Sequence, residues 1–150
     1  MKTQFVPQDF EVSPKVETER FRLRMLSVDD VEKDYEAVIE SRELLHAMFG
    51  GTWPREGFTL KENLVDLERH QQEFLDRVAF AYTVVTLDEN RVLGCVYINP
   101  AQKVDADAVV VMWVRQSEFE QGLDEILFQT VKDWISSAWP FSSVAYPGRE

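Results

Sequence analysis

The sequence predicts one α/β domain of the α+β type, built on a mixed β-sheet. Three observations predict it. Phe21-Arg22-Leu23-Arg24-Met25-Leu26 alternates apolar with basic residues, the period of a strand with one buried face. Two β-rich runs, residues 80–87 and 91–99, flank Asp88-Glu89-Asn90, which reads as a hairpin. A long apolar run over 106–115 leads into a helical period and then a short strand at 142–146; such a unit makes a right-handed crossover between parallel neighbours.

Taken in order, the first twenty residues carry Pro7 and Pro14 among scattered apolar positions and read as an extended arm lying on the domain. The first strand follows at 21–26. Ser27 with Asp30 has the form of a capping box, and Val28, Val31, Tyr35, Val38 and Leu45 recur at helical steps with Arg42 as the one break, which predicts a single helix. Residues 49–57 hold three glycines and a proline and predict a loop. Thr59 and Glu62 form a second capping box, opening a helix whose expected buried face is Leu60, Leu64, Leu67, Gln71, Phe74 and Val78. After the hairpin, Pro100 closes the second arm, and 106–115 reads as a central strand covered on both faces. The last helix is expected over about 117–137, with Phe119, Leu123, Ile126, Leu127, Thr130, Trp134 and Ala138 on its inner face and Ser117–Glu120 as a third capping box.

Composition narrows the function classes. The chain is 150 residues, 45% apolar and 29% charged, which suits one domain over 1–150 with an arm at 1–20. Acidic residues outnumber basic ones 27 to 16, for a net charge of −11; this argues against a nucleic-acid partner, which calls for a basic stripe. The longest apolar run is too short to cross a bilayer. A lone cysteine, Cys95, cannot close an intramolecular disulfide, so a cytoplasmic location is the expectation. His46 and His70 show no metal-ligand spacing and are expected to be packing or surface residues, with no metal bound.

Thr18-Glu19-Arg20-Phe21-Arg22-Leu23-Arg24, Leu93-Gly94-Cys95-Val96-Tyr97-Ile98 and Trp113-Val114-Arg115, in the order strand, two helices, antiparallel hairpin, long strand, helix, strand, resemble the GNAT acetyltransferase superfamily over residues 18–147. The resemblance implies a GNAT-like, mostly antiparallel sheet of about five or six strands, helices on both faces and a parallel strand–helix–strand unit at the C-terminal end. It implies acetyl-CoA between two splayed parallel strands, its pyrophosphate on backbone N–H groups at the start of the following helix. The superfamily pattern there is Gln or Arg, two residues, Gly, one residue, then Gly or Ala. With its first glycine on Gly122, Phe119 and Asp124 fall at the other two positions. Glu118, Glu120, Asp124 and Glu125 crowd the same stretch without a lysine or arginine, and each repels a phosphate.

Two readings therefore stand open: an acetyl-CoA-dependent N-acetyltransferase of a small amine, and a non-catalytic descendant that binds a small molecule or a protein. For the first, the expected cofactor-binding residues are Val114, Arg115, Gln116 and Gly122, with Arg115 able either to hold phosphate or to pair with nearby acids. Tyr146 is the candidate acid for the leaving thiolate, and Phe49, Trp53, Tyr97 and Trp113 are candidates for the acceptor pocket. Cys95 reads as a small core residue. The last strand, a free edge, is expected to be covered by the arm or by a second copy in a homodimer.

Overall fold

The computed structural model describes residues 4–101 and 106–149; residues 1–3 of the expected arm, 102–105 and Glu150 lie outside it. Among the described residues, six strands form one sheet in sequence order: β1 (Lys15–Glu17), β2 (Arg22–Met25), β3 (Phe80–Val85), β4 (Val92–Pro100), β5 (Ala108–Val114) and β6 (Val144–Ala145). Every neighbouring pair is antiparallel except β5 and β6, which run parallel. Among the described residues, five α-helices accompany the sheet: α1 (Val31–Glu40), α2 (Arg42–Phe49), α3 (Leu60–Leu75), α4 (Gln116–Glu120) and α5 (Leu123–Ala138). The fold class matches the one expected from sequence. No helix of the described residues is long and apolar enough to cross a membrane.

Strand alternation sorts side chains onto two faces. On one, Leu23, Tyr82, Val84, Val96, Ile98, Val110 and Met112 pack against α5. On the other, Val85, Val92, Cys95 and Trp113 meet α1, α2 and α3. β4 and β5 lie so close that a Cβ on Gly94 would stand 2.0 Å from the Trp113 carbonyl oxygen, so only glycine fits there.

Four local expectations change. The arm folds back as β1, because the Thr18 hydroxyl accepts the Arg20 and Phe21 N–H groups, each at 3.1 Å, and tightens the turn into β2. The helix expected across 28–45 begins with a 3₁₀ turn at Val28–Asp30, capped by the expected Ser27–Asp30 box. It then breaks at Ser41, which is fully buried and whose hydroxyl oxygen accepts the Gln116 N–H at 2.8 Å. The last helix is two helices, broken at Gly122 with φ 86°. Its third capping box does not form: Arg115 is the N-cap of α4 with no side-chain cap, and the Ser117 hydroxyl donates to Glu40 at 2.9 Å.

Among the described residues, the arm does not pair with the outer edge of β6. Phe5 stacks between Phe80 and Phe141, with ring centroids 5.9 and 5.2 Å away. Phe10 meets Trp139 at 5.2 Å, and the Pro7 and Phe10 carbonyls both accept from Arg77 at 2.9 Å.

Candidate active site

On the α1–α3 face the sheet is not filled. A cavity of about 370 Å³ remains, walled by Asp34 of α1, Asn63, Asp66, Leu67 and His70 of α3, Tyr97 of β4, Val111 of β5, and Phe49 and Trp53 from the end of α2 and the loop beyond. Volume and lining suit a small organic ligand: mostly apolar walls with a few placed polar groups. The loop is held in position. Tyr35 donates to the Phe58 carbonyl at 2.6 Å, His46 Nε2 sits 2.9 Å from the Pro54 carbonyl, and Trp53 meets Phe58 edge to face at 6.2 Å.

Asp34 is 4% exposed and receives one donor among the described residues, the Asn63 amide at 2.9 Å, itself 1% exposed. Burial, reinforced by Asp30 and Asp66, pushes its carboxyl up to about 6. Asp66 is also raised, by burial first, while Arg69 and the Trp53 indole oppose the shift. His70, 5.2 Å from the Tyr97 ring, is lowered to about 4 by burial and by Arg69, and is therefore neutral at physiological pH. The Tyr97 phenol accepts from the Trp113 indole at 3.2 Å, and burial holds it protonated well above its usual range.

A second cavity, of about 460 Å³, lies where β6 leaves β5. The two pair only at Ala108–Val144 and Val109–Ala145. Beyond that, Val111 and Met112 face Pro147, Gly148 and Arg149 across a gap closed by α2 and Asp124. Arg149 spans the gap, donating to the Met112 carbonyl at 3.0 Å and to both Asp124 carboxylate oxygens at 2.8 and 2.9 Å. Phe49 and Val111 line both cavities, which therefore adjoin.

The turn after β5 fits an anion only in part. The Gln116 N–H is taken by Ser41, and the Ser117 N–H by the Glu40 carboxylate at 3.0 Å. Arg115, 2% exposed, donates to Glu36 at 2.9 Å, to Glu40 at 2.7 Å and to the Val92 carbonyl at 3.0 Å. This commits the guanidinium to the acids of α1 and holds Glu40 down at about 2. Residues 115–117 thus present no free donor of the kind a phosphate needs. Gly122 differs: space beside it is open, and as N-cap of the 16-residue α5 it brings no side chain over that helix's first amides.

The expected site residues separate accordingly. Phe49, Trp53 and Tyr97 come together around the first cavity, with Trp113 behind Tyr97. Val114 is buried in the ladder opposite Gly94; Arg115 and Gln116 are occupied as described; Gly122 is open. Tyr146 packs edge to face on Phe128 of α5, centroids 5.4 Å apart, in the core layer on the other face of the sheet from Tyr97 and Trp113.

Asp34, Asn63, Asp66 and His70 are not among the sequence expectations, His70 having been assigned to packing or surface. A signal existed for three of them. Asp34 stands three residues after Val31 and four before Val38, and Asn63 and His70 flank Leu67 at four and three. These are polar residues at core-facing helical positions. Among the described residues, no group of three or more His, Cys, Asp or Glu side chains converges to hold a metal ion.

No protein-family model matches the sequence, and no curated protein does. Solved structures do match. RimL, a ribosomal L7/L12 α-N-protein acetyltransferase solved with coenzyme A, aligns at 16% identity and TM-score 0.60 over 73% of this chain and 60% of its own. The chain thus spans about three-fifths of that enzyme. The microcin C7 self-immunity acetyltransferase MccE, solved with acetyl-CoA and AMP, aligns at 11% identity and TM-score 0.63 over 81% and 67%. A GNAT-family protein from Bordetella pertussis aligns at 12% identity and TM-score 0.60 over 84% and 74%. The chain has the fold of the GNAT acetyltransferases.

Proposed function

We propose that this protein is an acyl-CoA-dependent N-acyltransferase, with acetyl-CoA as donor and a small amine as acceptor. One observation carries the reading: two cavities beside β5 share Phe49 and Val111 in their walls, so a donor in one and an acceptor in the other would meet there. RimL and MccE, which share the fold, were solved with coenzyme A and acetyl-CoA respectively. Acetyl-CoA supplies an activated acyl carbonyl. Gly122 and the first amides of α5 would hold its negative end, on unpaired N–H donors and the positive helix terminus. Phe49 and Val111 would exclude water at the junction. Asp34, Asp66, His70 and Tyr97 shape the acceptor side, where carboxylates attract a cationic amine.

A second reading, a non-catalytic GNAT-fold binding module, draws support from the occupied donors at 115–117 and from Arg149 bridging the gap. Thermal melting with acetyl-CoA separates the two. Ligand at about 100 times its dissociation constant adds about 2.7 kcal/mol, or roughly 5–10 °C for a domain of this size. An unchanged midpoint at millimolar acetyl-CoA removes the transferase reading and leaves the binding module.

A further inference from the structure

We propose that Asp34 receives the ammonium group of the ligand in the first cavity and takes its proton, and that this ligand is a primary amine on a compact apolar body. The proton-transfer half rests on the acyltransferase reading; the binding half stands without it.

The argument begins with an unmet need. A carboxylate accepts at about four lone-pair positions, yet among the described residues Asp34 has one donor, a neutral amide, and faces a cavity. A buried charge is costly unless it is paired. The surrounding groups do not pair it. Asp30 is itself a carboxylate and binds Arg24 through both oxygens at 2.8 and 2.9 Å. From α3 come Asp66, the neutral His70, and Arg69, whose charge acts on both of these. From β4 come Cys95 and Tyr97, both held protonated by burial. The missing partner is a cation with N–H donors, and the cavity delivers it.

The walls define the rest of the molecule. Phe49, Trp53 and Tyr97 give rings, and Leu67 and Val111 aliphatic surface. Rings favour both an apolar body and a nearby ammonium. A cavity of about 370 Å³ limits that body to roughly the size of one aromatic ring with a short chain. In the proton step, one N–H bond of R–NH₃⁺ breaks, the proton passes to an Asp34 carboxylate oxygen, and nitrogen keeps the electron pair. The products, R–NH₂ and a neutral carboxylic acid, carry no charge into the apolar cavity. Desolvation lowers an amine's pKa while it raises a carboxylate's, so burial brings the two groups toward a match.

The test titrates 2-phenylethylamine and its neutral counterpart 2-phenylethanol into the intact protein by calorimetry. At about pH 7.5 the amine should bind at least about tenfold more tightly than the alcohol, as a charged hydrogen bond predicts. Asp34→Asn should remove that preference while still binding the alcohol, and Glu68→Gln, at an exposed acid of α3 outside the cavity, should keep it. In the wild type the preference should shrink as pH is lowered through 6 toward 5, an arm that needs no variant and decides the matter if Asp34→Asn does not fold. A preference that survives in Asp34→Asn, one lost equally in Glu68→Gln, or the absence of binding by both compounds overturns the inference. A parallel acetyl-CoA titration keeps the two ideas apart. If acetyl-CoA fails to bind while the amine preference holds, the transferase reading falls, together with the proton transfer, and the ammonium site stands.

Discussion

On the face covered by α5 and the arm, the sheet is sealed with aromatic rings: Phe5, Phe10, Phe74, Phe80, Tyr82, Trp134, Trp139 and Phe141 contact one another at centroid distances of 5.0–6.3 Å. On the face under α1, α2 and α3, the same sheet leaves a cavity and surrounds it with Asp34, Asn63, Asp66, His70 and Tyr97. One layer stabilises mainly by area and shape, its buried Trp139 indole N–H left without a partner among the described residues, a cost smaller than that of a buried charge. The other holds a carboxylate away from water with one neutral donor. Selection for stability alone would not retain such an arrangement where an apolar residue would pack, so the difference points to the second face as the one that works on a ligand.

The largest effect expected is on the sealed face. Trp139 is buried among five rings, and Trp139→Ala should cost about 3–5 kcal/mol in urea denaturation, the usual range for removing a core aromatic. If the faces are independent, amine binding measured well below the variant's melting temperature should be unchanged. Loss of binding with the fold intact would show that the aromatic layer sets the shape of the cavity across the sheet.

Asp34→Asn should act in the opposite direction. The carboxyl is raised from 3.8 to about 6 in the native state, so between those values the native protein binds more protons than the unfolded chain, and stability falls as pH rises through the window. The variant lacks this titration. Its advantage over the wild type should be absent near pH 3.5, grow between about 4 and 6, and level off at roughly 2–3 kcal/mol above that. Parallel stability–pH curves for the two proteins would mean that Asp34 is not held at a raised pKa.

How far the sequence could be read divides along the same line. The strands, the hairpin, the parallel last pair and the two-residue alternation were legible, because apolar side chains on a pleated sheet repeat without interruption. The helical faces came out displaced. On α3 the expected Leu67 is buried, but Leu60 is exposed, as is Val78 just past its end, and Asn63, outside the expected face, is buried. On α5 the expected Leu123 and Leu127 are buried, but Phe119 of the expected face lies in α4 and is exposed along with Ile126, and the buried Phe128, Val131 and Ile135 lie outside that face. A search for apolar spacing steps over Asn63 and His70, so it locks onto a neighbouring stripe. The polar side of the cavity was hidden for the same reason, since Asp34, Asn63 and His70 break the pattern, whereas its rings Phe49, Trp53 and Tyr97 were among the expected residues. Ser41 and Glu40 were unreadable in another sense, since their partners, the amides of Gln116 and Ser117, lie 75 and 77 residues away.

That long-range clasp gives the smallest effect, and its sign is opposite to Asp34's. Contact with Arg115, foremost, and with the Ser117 N–H and hydroxyl lowers the Glu40 carboxyl from 4.5 to about 2. A depressed native pKa contributes stability that is fully present above about 4.5 and is lost as pH falls toward 2. The Glu40 side chain is 31% exposed, so solvent screens the pair and the contribution should be about 1 kcal/mol rather than the full linkage value. Glu40→Gln keeps an acceptor for Ser117 but not the charge facing Arg115. The gap between wild type and variant should therefore close as pH drops from about 4.5 to 2, a range over most of which, below about pH 3.5, Asp34→Asn and wild type have already converged. A gap for Glu40→Gln that stays constant down to pH 2 would mean that the clasp holds through its hydrogen bonds alone. The negative charge at this turn would then be free to move, and the donors of Gln116 and Ser117 easier to release to an incoming anion than their present bonds indicate.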